Sequence, residues 1–262
     1  MKEMDRLVDI MARLRDPKEG CPWDLAQTFE TIVPHTLEEA YEVAEAIETG
    51  DLDHLKEELG DLLFQVLFYA RLAEEQGRWD FGDVARALAG KLVRRHPHVF
   101  AGQAVGDAAQ QTRQWEAHKA AERAARGGGP AGALDGVSRA LPALSRAQKL
   151  QRRAARVGFD WDGAEGVVAK LDEELDELKG ALARDDAAAA AAELGDLLFT
   201  AVNLARHLEL DAEQVLRAAN RRFEGRFRRM EARLGGPGAV AAATPGEREA
   251  AWAAAKAEEG PQ

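Results

Sequence analysis

The sequence predicts an all-α protein made of two tandem, duplicated helical-bundle domains. Three observations carry that prediction. The segments Glu38-Glu39-Ala40-Tyr41-Glu42 and Glu58-Leu59-Gly60-Asp61-Leu62-Leu63-Phe64 recur as Glu173-Glu174-Leu175-Asp176-Glu177 and Glu193-Leu194-Gly195-Asp196-Leu197-Leu198-Phe199, each 135 residues later. Hydrophobic residues make up 46% of the chain but aromatic ones only 6%, and alanine and leucine dominate, which favours helices over sheets. Apolar residues return at helical spacing throughout, and no stretch alternates with period 2 for long enough to make a strand. Further matches lie near the same register. Gly90-Lys91 with Arg94 answers Gly225-Arg226 with Arg229 at 135. Trp23-Asp24 answers Trp161-Asp162 at 138, and Trp115 with Lys119 answers Trp252 with Lys256 at 137. A chain of 262 residues therefore divides into a domain over 1–120, a glycine-rich linker over 121–136 and a second domain over 137–262. Each domain is of ordinary size.

The elements follow in order. Leu7, Ile10, Met11 and Leu14 predict a first helix over 3–15, which Asp16-Pro17 stops. Gly20-Cys21-Pro22 is a loop. Thr36 reads as an N-cap for a helix running to about Glu48, and Gly50-Asp51 turns the chain. A long helix spans about Leu52 to Gln76 with Leu55, Leu59, Leu62, Leu63, Val66 and Leu67 inward, and Gly77 ends it. A fourth helix covers Phe81 to His96 and breaks at Pro97. Residues 107–126 form a polar helix carrying Trp115 and Lys119. Gly127-Gly128-Gly129-Pro130 is the clearest linker. The second copy opens with a helix over Ala140 to Arg156 that Gly158 caps, and Trp161-Asp162 leads into the acidic helices. A basic helix spans Ala212 to Leu234, Gly235-Gly236-Pro237-Gly238 is a loop, and a last helix carries Trp252 and Lys256.

Charge and composition exclude several classes. A net charge of -11 argues against nonspecific binding to DNA, RNA or an anionic membrane, though an anionic substrate held through metal remains compatible. The single Cys21 excludes an intramolecular disulfide and fits a reducing cytoplasm. Met1 to Met11 is charged and amphipathic, unlike a signal peptide, and no run is expected to be long enough to cross a membrane.

The acidic segments carry the chemistry. Glu174 and Glu177 are three apart, as are Glu193 and Asp196, so each pair occupies neighbouring turns of one helix face. Beside them run apolar stripes: Val167, Leu171, Leu175, Leu178 and Leu182, then Leu194, Leu197, Ala201, Leu204 and Leu208. Packing of the two stripes would gather four carboxylates at one rim of a bundle. A carboxylate run is ordinarily a solvated face, and Thr36 with Glu39 reads as a capping box. Leu171 answers Thr36 in the second copy, however, where no such box is possible and the acids persist. Gly60 and Gly195 each cost about 1 kcal/mol mid-helix, which suggests close helix approach. Clustered carboxylates repel unless a hard cation neutralises them. With Glu and Asp and no histidine at i+3, the set differs from di-iron bundles and favours Mg²⁺, with Mn²⁺ as substitute. Ligands on helices exclude an EF-hand. His96-Pro97-His98 has no counterpart in the repeat and reads as a helix-ending turn.

Arg221, Arg222, Arg226, Arg228 and Arg229 read equally as a solvated face or as charges holding polyphosphate oxygens beyond a metal's reach. Trp252 reads as a core anchor or, with Lys256 one turn on, as a base-stacking surface. There is no phosphate loop, no dinucleotide-binding glycine motif and no repeated nucleophile set. Metal-assisted hydrolysis by activated water remains.

The pattern Glu-Glu-x-x-Glu followed by Glu-x-x-Asp on two helices resembles the MazG family of all-alpha nucleoside triphosphate pyrophosphohydrolases. Cys21-Pro22-Trp23-Asp24, Thr36-Leu37-Glu38-Glu39, Arg94-Arg95-His96-Pro97-His98-Val99-Phe100 and Gly158-Phe159-Asp160-Trp161 are similar to its two-domain members. The resemblance implies a dimerising helical bundle, Mg²⁺ dependence and hydrolysis of an NTP or dNTP to NMP and pyrophosphate, clearing the nucleotide pool. It implies Glu174, Glu177, Glu193 and Asp196 as metal ligands, with Glu39, Glu42, Glu58 and Asp61 their counterparts; an unligated carboxylate, Glu173 or Glu174, is the expected base. It implies nucleotide contacts from Lys170, Arg221, Arg222, Arg226, Trp252 and Lys256. The first copy offers Glu38, Lys91, Arg94, Arg95, Trp115 and Lys119, but His35 stands for Lys170 and Ala87 for Arg222, so the second copy is the expected working site. Two other readings stay open. One is a noncatalytic helical module that senses nucleotide or binds a partner. The other is a narrower enzyme for dUTP, dCTP or phosphoribosyl-ATP. Wide apolar helix faces predict a homodimer.

Overall fold

The computed structural model describes residues 2–102 and 132–258. The chain falls into two units, Met1–Ala120 and Ala121–Gln262, and every regular element among the described residues is a helix. Trp115, Lys119 and the linker glycines Gly127 to Gly129 lie outside the described residues.

In the first unit, α1 (Lys2–Leu14), α2 (Pro22–Ala26), α3 (Phe29–Thr49), α4 (Leu52–Glu75), α5 (Phe81–Arg95) and α6 (Pro97–Phe100) follow one another. The hairpin of α3 and α4 is its centre. Gly50, at φ +76°, closes α3 in the left-handed conformation that glycine adopts without steric cost. Asp51 then caps α4 by accepting from the His54 amide at 3.0 Å. Met11, Ile32, Leu67, Phe68 and Leu72 form the buried core. At its edge the buried Arg15 donates to Glu75 twice, at 3.0 and 2.7 Å, and lies over the Phe68 ring at 5.4 Å. Burial pushes the Glu75 carboxyl up, but the hydrogen bonds and charge of Arg15 and Arg71 outweigh it and hold the group below its usual range.

The second unit contains α7 (Ala143–Ala155), α8 (Ala164–Ala183), α9 (Ala187–His207), α10 (Ala212–Leu234), α11 (Pro237–Ala242) and α12 (Pro245–Ala257). Here α8 and α9 repeat the hairpin, with Asp185 at φ +56° where the first copy has Gly50. Two buried amides tie helix α7 to α9 and to the start of α10. Gln151 donates to the Phe199 carbonyl at 2.7 Å. Gln148 donates to the Leu210 carbonyl at 2.6 Å and accepts from the Ala212 amide at 3.2 Å. Helix α10 packs on α12, α11 and α7.

Several expectations are corrected. Thr36 is not an N-cap. Helix α3 starts at Phe29, capped by a Thr28–Thr31 box, and runs through Pro34. The Thr36 hydroxyl instead sits within 3.1 Å of the Ile32 carbonyl and 2.9 Å of the Tyr69 hydroxyl. Local propensity favoured a start at Thr36 because a proline inside a helix is costly, but packing of Phe29 and Ile32 into the core overrides it. Pro237 starts a short helix rather than continuing a loop. Among the described residues, a Cβ at Gly60 or Gly195 would meet no heavy atom within 4 Å, so neither glycine serves a close approach there. One helix, Ala187–His207, is long and apolar enough by length and composition to cross a membrane, against the expectation that no run would be.

Candidate metal centre

The carboxylates run from the helix seam to its exposed edge: Glu58 and Glu174 are buried, Glu39 and Glu193 half-buried, and Asp61, Glu177 and Asp196 exposed. In α8 the buried residues are Val167, Glu174 and Ala181, seven apart and so on one line along the helix. In α3 Ile32 and Ala46 are buried, and Glu39 lies midway between them. Of the leucines expected inward, Leu171, Leu178, Leu197 and Leu204 are half-buried, while Leu175 at 39%, Leu182 at 63%, Leu194 and Leu208 are exposed. The polar seam of α9 explains this, because Thr200 and Asn203 are buried there while Leu194 is exposed.

Glu174, Glu177 and Glu193 bring one carboxylate oxygen each within 4.8 Å of one another, and so do Glu39, Glu58 and Asp61 in the first unit. Asp196 and Glu42 lie outside these sets of three. Burial, then the charges of Glu177, Glu174 and Asp196, raise the proton affinity of Glu193. Burial, then Asp61, Glu42 and Glu58, do the same at Glu39. Oxygens within 4.8 Å of each other are spanned by one ion at oxygen-ligand distances of about 2.0–2.6 Å. The donor set is hard and all-oxygen, so the residues fit a divalent cation of the Mg²⁺ or Mn²⁺ kind.

The two clusters differ in their surroundings. The Lys170 amine lies 2.8 Å from Glu173 and 2.9 Å from Glu174. These contacts raise its proton affinity, Glu173 contributing most. In the first unit His35 holds the answering position, 3.7 Å from Glu38 and edge-on to the Trp23 ring at 5.8 Å. His54 approaches the buried Glu58 at 3.2 Å, a neighbour that the sequence reading missed because Ala189 occupies the equivalent place. Trp161 lies against the bare backbone of Gly166. Its loop is anchored by Asp160, which accepts from Arg206 at 3.0 Å and sits 3.1 Å from His207. Pairs 46 and 47 residues apart leave no local signature in a sequence.

Among the expected nucleotide contacts, Arg221, Arg222 and Arg226 lie on α10 and Lys256 is exposed on α12. Trp252 is half-buried and packs on Phe223 at 5.5 Å, in line with the anchor reading. Lys91, Arg94 and Arg95 lie on α5. Exposed Glu38 and Glu173 stand next to the seam carboxylates Glu39 and Glu174.

An all-α hairpin with a three-carboxylate cluster that could hold a divalent cation, present twice, is the class of site this fold presents. Residues 27–100 match the MazG nucleotide pyrophosphohydrolase domain, and residues 147–223 match phosphoribosyl-ATP pyrophosphohydrolase. The chain is 53% identical over 233 residues to the nucleoside triphosphate pyrophosphohydrolase of Escherichia coli K12, covering 88% of each protein. It is 44% identical over 254 residues to the nucleoside triphosphate pyrophosphohydrolase/pyrophosphatase MazG of Thermotoga maritima, covering 96% of this chain and 95% of that one. The chain belongs to the MazG family of nucleoside triphosphate pyrophosphohydrolases.

Proposed function

We propose that the chain hydrolyses nucleoside triphosphates to the monophosphate and pyrophosphate at the α8–α9 hairpin, with Mg²⁺ as the physiological metal. The carrying observation is the convergence of Glu174, Glu177 and Glu193 within 4.8 Å in a chain of this family. Glu174, Glu177, Glu193 and Asp196 would hold the metal, which supplies charge neutralisation on the triphosphate and a polarised water. Water attacks the α-phosphorus, the bond to the bridging α–β oxygen breaks, and pyrophosphate leaves. A carboxylate takes the water's proton. Glu173 and Glu174, the two carboxylates expected as base, already face Lys170 at 2.8 and 2.9 Å. Arginines of α10 and Lys256 would offset charge on the leaving group.

The exposed line of Val168, Leu175 and Leu182 on α8, continued by Leu194 and Leu198 on α9, supports a homodimer closed through the hairpins. Cys21 as the single cysteine suits a reducing, cytoplasmic setting. The match of residues 147–223 to phosphoribosyl-ATP pyrophosphohydrolase puts that substrate on the test panel. Pyrophosphate release is measured from NTPs, dNTPs and phosphoribosyl-ATP, with Mg²⁺ and with EDTA. Release from several nucleotides, abolished by EDTA, is the expected result. No release from any of them, with the helical spectrum intact, would leave a nucleotide-sensing module.

A further inference from the structure

We infer that Lys170 is a resident counter-ion of the C-terminal carboxylate cluster, displaced when metal arrives with its nucleotide, so that this cluster binds divalent metal poorly on its own. The inference rests on the reading of the cluster as the metal centre and concerns what governs its loading.

Glu174 is 5% exposed, and a carboxylate buried that deeply needs a cation partner. Lys170, one turn earlier on α8, meets it at 2.9 Å and meets Glu173 at 2.8 Å. An ion entering between Glu174, Glu177 and Glu193 must take Glu174 from the amine. Free metal therefore competes with a positive charge a few ångströms away, a repulsion that is large when partly shielded from water. A nucleotide changes the balance. Its phosphate oxygens offer the lysine a replacement anion, and a point charge on a flexible four-carbon stem can turn to reach them. The side chain is still 32% exposed, so the amine has an open side. The first unit provides a contrast. His35 holds the corresponding place but turns to Trp23 and Glu38. Among the described residues no lysine or arginine pairs with Glu39, Glu58 or Asp61.

The test is a Mn²⁺ titration read by electron paramagnetic resonance, on the full chain carrying Glu58→Gln to silence the first unit. It is run with and without the non-hydrolysable α,β-methylene-ATP. Sites lost in Glu193→Gln are assigned to the C-terminal cluster. The expected results are weak Mn²⁺ binding alone, strong enhancement by the analogue, and a gain of about tenfold or more in free-Mn²⁺ affinity for Lys170→Met with the enhancement reduced. Lys170→Arg, which keeps the charge, should retain weak binding of free metal. Unchanged or weaker free-Mn²⁺ binding in a folded Lys170→Met protein would overturn the inference while leaving the metal centre standing. Mn²⁺ binding indifferent to Glu193→Gln under both conditions would overturn both.

Discussion

At the residue scale, Glu174 holds a position that packing alone would give to an apolar side chain. It stands between Val167 and Ala181 in a seam where both neighbours are fully buried. Replacing a buried ion pair by well-packed apolar groups is often neutral or stabilising, by about 1–4 kcal/mol, and loss of Glu174 strands no buried charge, because Lys170 is 32% exposed and keeps Glu173 at 2.8 Å. Glu174→Leu is therefore expected to keep or raise the melting temperature while lowering turnover by roughly a hundredfold or more. Calorimetry beside pyrophosphate assays checks both halves, and clear destabilisation would show that the seam needs the carboxylate. Glu75 behaves in the opposite way, because its partner Arg15 is buried and would be left unpaired. Its folded proton affinity lies below that of the unfolded chain. Its stabilising contribution is therefore complete above the usual carboxylate range and is lost as pH falls through the folded value. Melting measured from pH 7 down to pH 3 should show a drop in the wild type that is shallower in Glu75→Gln. The variant should also be weaker at neutral pH by about 1–3 kcal/mol.

At the element scale, the two hairpins are one design with different turn chemistry. Gly50 at φ +76° and Asp185 at φ +56° occupy the same position in the repeat, and a left-handed residue with a Cβ costs about 1 kcal/mol or more. Gly50→Ala should destabilise the first unit by about 1 kcal/mol, and Asp185→Gly should stabilise the second by about 0.5–1 kcal/mol. Both are measured by denaturant unfolding, and neither should touch turnover. Helix type and several ends were legible, because the turn at Gly50-Asp51 and the glycines Gly77 and Gly235 are local signals. The start of α3 was not, because Ile32 docking in the core outweighs the cost of Pro34. The acids were legible as motifs through the repeat. That Glu58 and Glu174 are buried in the seam was not, because sequence periodicity marks leucines as inward and does not say which of two apolar lines a partner helix will take. The Lys170 link to Glu174 follows helical spacing and was open to view, whereas Gln148, Gln151 and Asp160 act across distances in sequence that no motif spans.

At the scale of the whole molecule, the leucine line left exposed by that seam becomes informative. Val168, Leu175 and Leu182 recur every seven residues on the outer side of α8, the pattern of a helix that packs on another helix. Leu175→Glu with Leu182→Glu should convert a dimer to a monomer in sedimentation at micromolar concentration. A wild type already monomeric there would remove the case for the dimer. The duplication also poses the question of which hairpin does the chemistry. Lys170, the arginines of α10 and Lys256 favour the second copy. The most direct test compares pyrophosphate release by Glu193→Gln and Glu58→Gln proteins with Mg²⁺, each checked for an intact helical spectrum. The account predicts near-complete loss in Glu193→Gln and largely retained turnover in Glu58→Gln. Full turnover in Glu193→Gln would contradict it and move the active centre away from the α8–α9 hairpin.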